Sequence, residues 1–227
     1  MNEYAAPRPT AESPQAERHY PPDMGLDWLL PLYDPFTRLI GIAAAHEELA
    51  DQAELESAKR VLEIGCGTGN LALLVKRGRP QLEVVGLDPD AKALARADRK
   101  ARRAGLSLEL DRGFADELPY PDASFDRVLS AFMFHHLDAD VRLATLHEVV
   151  RVLQPGGSFH LLDFGGNPDD LHGLIARLFR HSQVMRDNWG DRIQTLMREA
   201  GLGDPAEIAH LTRRIGRFTY HRAHRAG

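Results

Sequence analysis

The sequence predicts an α/β protein, a mostly parallel sheet covered on both faces by helices and preceded by an N-terminal helical extension. Three observations predict it. From about residue 60 onward, short β-rich runs alternate with amphipathic helical patterns, and such alternation calls for parallel strands joined by crossover helices. A glycine-rich turn, Gly65-Cys66-Gly67-Thr68-Gly69, joins the first run to the first helix, at the sheet edge where an open parallel sheet holds its ligand. The 227 residues, 43% hydrophobic and 27% charged, suit one substantial core with decorations rather than two complete domains.

Taken in order, residues 1–22 are rich in Pro, Ala, Glu and Arg and have no means of building a core, so they read as a flexible segment. Residues 23–57 read as a helical extension that caps the main domain. Leu39, Ile42, Ala43, Ala45 and Leu49 recur on one helical face, and Pro31 and Pro35 break the stretch before them. The main domain is residues 58–227. "RVLEIG" is its first strand and "NLALLVKRG" a helix stopped at Gly78; "LEVVGLD" is the second strand, followed by a helix over "DAKALARADRKARRAG" whose C-terminal glycine is Gly105. "LSLEL" is the third strand and "FDRVLSAF" the fourth. The next helix, "ADVRLATLHEVVRVLQPGG", buries Leu146, Val149, Val150 and Leu153 and is ended by Pro155. "SFHLLDFG" is the fifth strand, a helical region follows from about Pro168 to Ala200, and "EIAHLTRRI" and "GRFTYHRA" supply two last strands.

A net charge of −5 argues against a nucleic-acid partner, which would call for a basic footprint. The locally basic end, "RRIGRFTYHRAHRAG", reads as the solvated face of a last strand and a tail. Cys66 is the single cysteine, so no intrachain disulfide is expected. No apolar run has the length of a signal peptide core or a membrane span. A cytoplasmic protein with no integral membrane contact, a monomer or homodimer, is the expectation.

The glycine turn resembles a dinucleotide-binding fingerprint, but Asn70 stands where the third glycine of that fingerprint belongs. Asp88 ends the second strand 23 residues beyond Gly65, where a carboxylate accepts hydrogen bonds from ribose hydroxyls. Glu63, two residues before Gly65, would repel a pyrophosphate at close range. It suits instead a ligand with an ammonium and a sulfonium centre. That excludes a nicotinamide-dependent reductase and selects S-adenosylmethionine.

"VLEIGCGTGN", "VVGLDPD", "FADELPYPDASFDRVLS" and "EVVRVLQPGGSFHLLDF", in this order over about Arg60 to Gly165, resemble the class I S-adenosylmethionine-dependent methyltransferases. The likeness is to the subgroup with the ubiquinone/menaquinone C-methyltransferases and many small-molecule O- and N-methyltransferases. The resemblance implies a Rossmann-like sheet of seven strands, the last-but-one entering the centre and the last running antiparallel. It implies S-adenosylmethionine as cofactor, S-adenosylhomocysteine as product, and a small-molecule acceptor. Carried over by position, Glu63, Gly65, Cys66, Gly67 and Gly69 surround the methionine part and Asp88 holds the ribose. Pro89 lies beside the adenine, Ala115 offers its backbone to the ring edge, and Ser130 faces the amino-acid end. The family's acidic residue at the adenine amino group is here Phe114; either Asp116 substitutes from two residues on, or Phe114 stacks on the ring.

For the chemistry, "SAFMFHHLD" brings His135 and His136 to the carboxyl edge after the fourth strand, and Asp163 ends the neighbouring fifth strand. A histidine oriented by a carboxylate is a general-base arrangement; His136 is placed ahead of His135, on the ground that one of the two packs against the cofactor. The alternative is that the pair starts a helix and Asp163 caps backbone amides. No residue set fits a metal site. Tyr20, Trp28, Leu29, Tyr33, Phe36, Phe132, Met133, Phe134, Phe164, His181 and Trp189 suggest an aromatic-lined pocket for an apolar acceptor. A non-catalytic protein that binds S-adenosylmethionine is the reading from a different class: His135, His136 and Asp163 favour catalysis, while Phe114 in place of the usual acid favours the non-catalytic reading.

Overall fold

The computed structural model describes residues 41–166, 190–213 and 216–227. Its frame is a seven-stranded sheet in the order β3-β2-β1-β4-β5-β7-β6. The strands are β1 (Arg60–Ile64), β2 (Glu83–Asp88), β3 (Glu109–Arg112), β4 (Phe125–Ala131), β5 (Leu153–Gly165), β6 (Leu202–Arg213) and β7 (Gly216–Arg225). The helices are α1 (Ile42–Gln52), α2 (Asn70–Gly78), α3 (Ala91–Arg103), α4 (Ala139–Val152) and α5 (Arg192–Glu199). β1 pairs in parallel with β2 and β4, β2 with β3, and β4 with β5. β7 pairs antiparallel with both β5 and β6, so β7 alone runs against the others.

The order corrects one expectation. It is the final strand, not the last-but-one, that enters between its neighbours. β6 takes the sheet edge, and β7 pairs antiparallel along it from Arg213↔Gly216 to Leu202↔Arg225.

Two apolar layers sandwich the sheet. On one face Leu62, Ile64, Val85, Val128, Phe159 and Leu161 pack with Leu146, Val149 and Val152 of α4 and Ile193 and Met197 of α5. On the other, Val61, Val84, Leu129, Leu162 and Tyr220 pack with Ala45 and Leu49 of α1 and Leu71 and Val75 of α2. Both faces of β1 are therefore buried, which is why its text is nearly continuous in apolar residues.

Local chemistry sets the boundaries. α3 begins at Asp90, whose side chain accepts the Lys92 amide at 2.7 Å, a satisfied N-cap. α4 ends at Val152 rather than reaching Pro155, because Leu153 already adopts extended backbone and opens β5. β3 starts at Glu109 rather than Leu106, since Leu106 still donates to the Ala101 carbonyl in the turn that closes α3. In α1 the buried face is Ala45, Leu49 and Ala50, while Ala43 is exposed. Leu39 and the expected elements before it, and most of the helical region after β5, lie outside the described residues.

Candidate functional site

The carboxyl ends of β1, β2, β4 and β5 converge on one edge of the sheet, where Glu63, the glycine loop, Asp88, Ser130, His135, His136 and Asp163 are collected. Gly65 and Cys66 donate their amides to the Leu87 carbonyl at 2.8 and 3.0 Å, which folds the loop back over β2. Gly65 has φ +71°, and a side chain on it would drive into Met133 of the β4 loop, with Met133 Cβ at 2.7 Å. Gly69, at φ +74°, ends the loop, and a Cβ there would meet that of Ala97 of α3 at 2.8 Å. Only glycine satisfies both the positive φ and the contact. A Cβ at Gly67 would meet nothing within 4 Å, so this part of the loop presents bare backbone.

Asp88 is 9% exposed. One carboxylate oxygen accepts the Gly67 amide at 2.8 Å and the other the Asp90 amide at 2.9 Å, so the carboxylate is fixed against the loop it faces. Lys100 of α3 reaches back to Thr68 Oγ1 at 3.1 Å and Asn70 Oδ1 at 2.6 Å, pinning the loop from outside. Sequence reasoning passed over Lys100, although its place in the basic run of α3 gave no sign that it turns inward.

Glu63 is 3% exposed and is the most telling residue of the edge. One side-chain oxygen is held by the Ala72 amide in the first turn of α2, and Oε2 has no hydrogen-bond partner. Burial pushes its carboxyl up to about 8, while the Ala72 amide opposes the shift and the nearby Asp88 adds to it. On the adjacent strand Ser130 is 1% exposed with its hydroxyl unpartnered. Native interiors rarely leave such groups idle. A carboxylate and a hydroxyl with spare capacity at this edge fit an amino-acid tail bearing an ammonium.

The far wall is the loop from Arg112 to Asp122. Arg112 donates to the Pro89 carbonyl at 3.1 Å. Phe114 and Glu117 bridge across a tight turn that presents Ala115 and Asp116, all but Glu117 half-buried. Arg151 of α4 anchors the loop, donating to the carbonyls of Leu118 and Tyr120 and to Asp122, while its neighbour Glu148 accepts the Leu118 amide at 2.7 Å.

Beyond β4 the two histidines separate in role. Asp163, fully buried at the end of β5, lies 2.6 Å from Nδ1 of His135 and accepts the His135 amide at 2.8 Å and the Phe164 amide at 2.7 Å. His136 stacks on His135 with ring centroids 3.9 Å apart and is exposed. The carboxylate therefore orients His135, not His136. The amide-capping role of Asp163 and the His–carboxylate pairing, which stood as alternatives, are both present.

Beside His135 the ring of Phe164 lies 5.1 Å away and continues the aromatic wall into Phe132, which in turn meets His46, while the fully buried Phe218 packs behind both phenylalanines. Phe132 takes φ +55°, a conformation costly for a bulky residue and typical of functional edges. Phe134, expected in that wall, is buried in the core, and Met133 packs beneath Gly65. Tyr20, Trp28, Leu29, Tyr33, Phe36, His181 and Trp189 lie outside the described residues. No helix among the described residues is long and apolar enough to cross a membrane.

The chain is similar to known proteins. A family described as Methyltransferase domain matches residues 61–157. The chain is 36% identical to a demethylmenaquinone methyltransferase of Deinococcus radiodurans, over 86% of this chain and 84% of that protein. It is 35% identical to a 27-O-demethylrifamycin SV methyltransferase of Amycolatopsis mediterranei, over 69% of this chain and 58% of the relative. Among solved structures, the YcgJ protein of Bacillus subtilis superposes with a TM-score of 0.67 at 18% identity, covering 81% of this chain and 99% of its own. That last likeness speaks for the fold alone.

Proposed function

The chain belongs to the class I S-adenosylmethionine-dependent methyltransferases of the ubiquinone/menaquinone type, and on that premise we propose that it methylates a hydroxylated aromatic acceptor with an apolar body, with His135 as the base. The observation that carries the proposal is the buried Asp163 carboxylate, 2.6 Å from His135 Nδ1, beside an aromatic wall.

When bound, S-adenosylmethionine supplies a methyl group on a sulfonium that leaves as a neutral thioether. The chain's own residues do the rest. Glu63 takes the ammonium of the cofactor and Ser130 hydrogen-bonds its amino-acid end. Asp88 takes the ribose hydroxyls, and Gly65, Cys66, Gly67 and Gly69 lay backbone along the methionine part. Pro89, Ala115 and Asp116 border the adenine, with Phe114 beside them. His135, donating Nδ1–H to Asp163, keeps Nε2 as an acceptor and removes the acceptor's hydroxyl proton as the new bond forms. Phe132 and Phe164, backed by the buried Phe218, align a planar ring, and alignment is the larger part of what an in-line displacement needs. The proton balance closes: one methyl group is transferred and one proton passes through His135 to solvent. The reading carries with it a cytoplasmic enzyme without a nucleic-acid partner.

The relative from Deinococcus radiodurans is named for a demethylmenaquinone, and a reduced naphthoquinone has both the phenolic hydroxyl and the apolar body the proposal asks for. The test is transfer of labelled methyl to demethylmenaquinol, to a catechol and to a long-chain fatty acid in parallel. Label in the quinol or the catechol is expected; label in the fatty acid alone would overturn the aromatic reading. Asp88→Ala removes charge-assisted hydrogen bonds to the ribose, so calorimetric affinity for S-adenosylhomocysteine is expected to fall by about 30-fold, equivalent to about 2 kcal/mol. Unchanged affinity would place the ribose elsewhere.

A further inference from the structure

Arg142 is the largest fully buried side chain among the described residues, 1% exposed in the first turns of α4. Arginine is almost never so buried without a task. Its Nε donates to the Leu137 carbonyl at 2.8 Å, Nη2 reaches the His135 carbonyl at 3.4 Å, and the guanidinium carbon lies 5.5 Å above the centre of the Phe134 ring. One planar fork therefore grips the short helical turn Phe134–His136 on its carbonyl side.

Asp163 grips the same turn on its amide side, through the His135 amide and ring. His135 is thus held at its N–H, its C=O and its imidazole, by groups from two different elements. On this geometry we propose that Arg142 is a positioning residue for His135. It fixes the turn so that the imidazole meets Asp163 and no other partner. It acts through the carbonyls and touches neither acceptor nor cofactor. The catalytic consequence rests on the reading of His135 as the base; the positional claim does not.

Lysine keeps the charge but has no fork, so Arg142→Lys can hold one carbonyl at most, and Arg142→Met holds neither. In both, the nitrogen spectrum of labelled histidine is expected to show His135 changing from a single Nδ1–H tautomer to a mixture. Affinity for S-adenosylhomocysteine stays within about twofold, because Glu63, Asp88 and the glycine loop lie on other elements. With demethylmenaquinol as acceptor, kcat is expected to fall about 10- to 100-fold, the range that a misplacement of about 1 Å produces, with KM little changed. An unchanged His135 spectrum in either folded variant would overturn the proposal, whatever the activity does. Should His135→Ala retain full activity, the base reading fails by itself, and the tautomer measurement still decides the role of Arg142.

Discussion

Asp163→Asn is expected to reduce turnover with the quinol acceptor by about 10²- to 10⁴-fold while leaving cofactor affinity unchanged. The reason is the number of donors that converge on this one carboxylate. Asp163 accepts from the His135 amide and the Phe164 amide and faces His135 Nδ1, and a carboxylate can accept all three. An asparagine has one oxygen and one NH₂. If its oxygen serves His135 Nδ1–H and the Phe164 amide, its NH₂ is pressed against the His135 amide, donor against donor, in a fully buried position. If it turns over, the NH₂ donates to Nδ1 and forces the proton onto Nε2, so the nitrogen facing the acceptor can no longer take a proton. Either way the base is lost or the turn is displaced. Either arrangement sets the NH₂ against a buried amide, that of His135 in the first and of Phe164 in the second, which destabilises the fold by about 1–3 kcal/mol, so calorimetric binding of S-adenosylhomocysteine must accompany the rates to show a folded cofactor site. Turnover within about threefold of the parent would reduce Asp163 to a backbone cap and remove His135 from the chemistry.

The contrast between His135 and His136 shows what the sequence could and could not tell. Their type and neighbourhood were legible, because a strand followed by a short turn at the carboxyl edge is read from local pattern. Which of the two meets Asp163 was not, because it depends on the rotation of a three-residue turn set by contacts from β5 and α4. The same distinction runs through the molecule. That the glycine loop, Glu63 and Asp88 would meet was legible because they stand at the ends of two successive strands joined by a single helix. β7 enters between β5 and β6 for a reason no local pattern contains, since both orders give the same alternation of apolar residues.

Arg142 is the instructive omission. It lies four residues before Leu146 and seven before Val149, in step with the buried stripe of its helix, and a charged residue in step with an apolar stripe was the available signal. The departure at Phe114 was visible in the sequence; the structure adds that Phe114 pairs with Glu117 across a tight turn, which no local pattern announced.

The second large effect concerns Glu63. Its carboxyl, raised by burial to about 8, is mostly protonated at neutral pH in the cofactor-free protein, whereas partnership with an ammonium demands the ionised form. Binding of S-adenosylmethionine is therefore expected to expel about one proton per site at pH 7, and affinity should climb by about tenfold per pH unit from pH 6 to about 7.5, then level as the ligand's own α-ammonium begins to titrate. Titrations in two buffers of different ionisation enthalpy measure that proton directly. In Glu63→Gln the charge is gone: affinity should fall by about 10- to 100-fold at about pH 7.5, and the rise between pH 6 and 7.5 should vanish. The same substitution has the opposite effect on the empty fold. A carboxyl whose folded value lies above its ordinary 4.5 contributes stability that is complete below that ordinary value and is lost as pH rises through about 8. Cofactor-free parent protein should thus lose melting temperature over that window relative to Glu63→Gln, and the variant should be the more stable of the two at pH 8 and above. A buffer-independent binding enthalpy, together with parallel melting curves, would mean that Glu63 is ionised in the empty protein and that its spare oxygen is satisfied by water. The outcome expected here would make the buried acid a residue kept for its ligand at the expense of its fold.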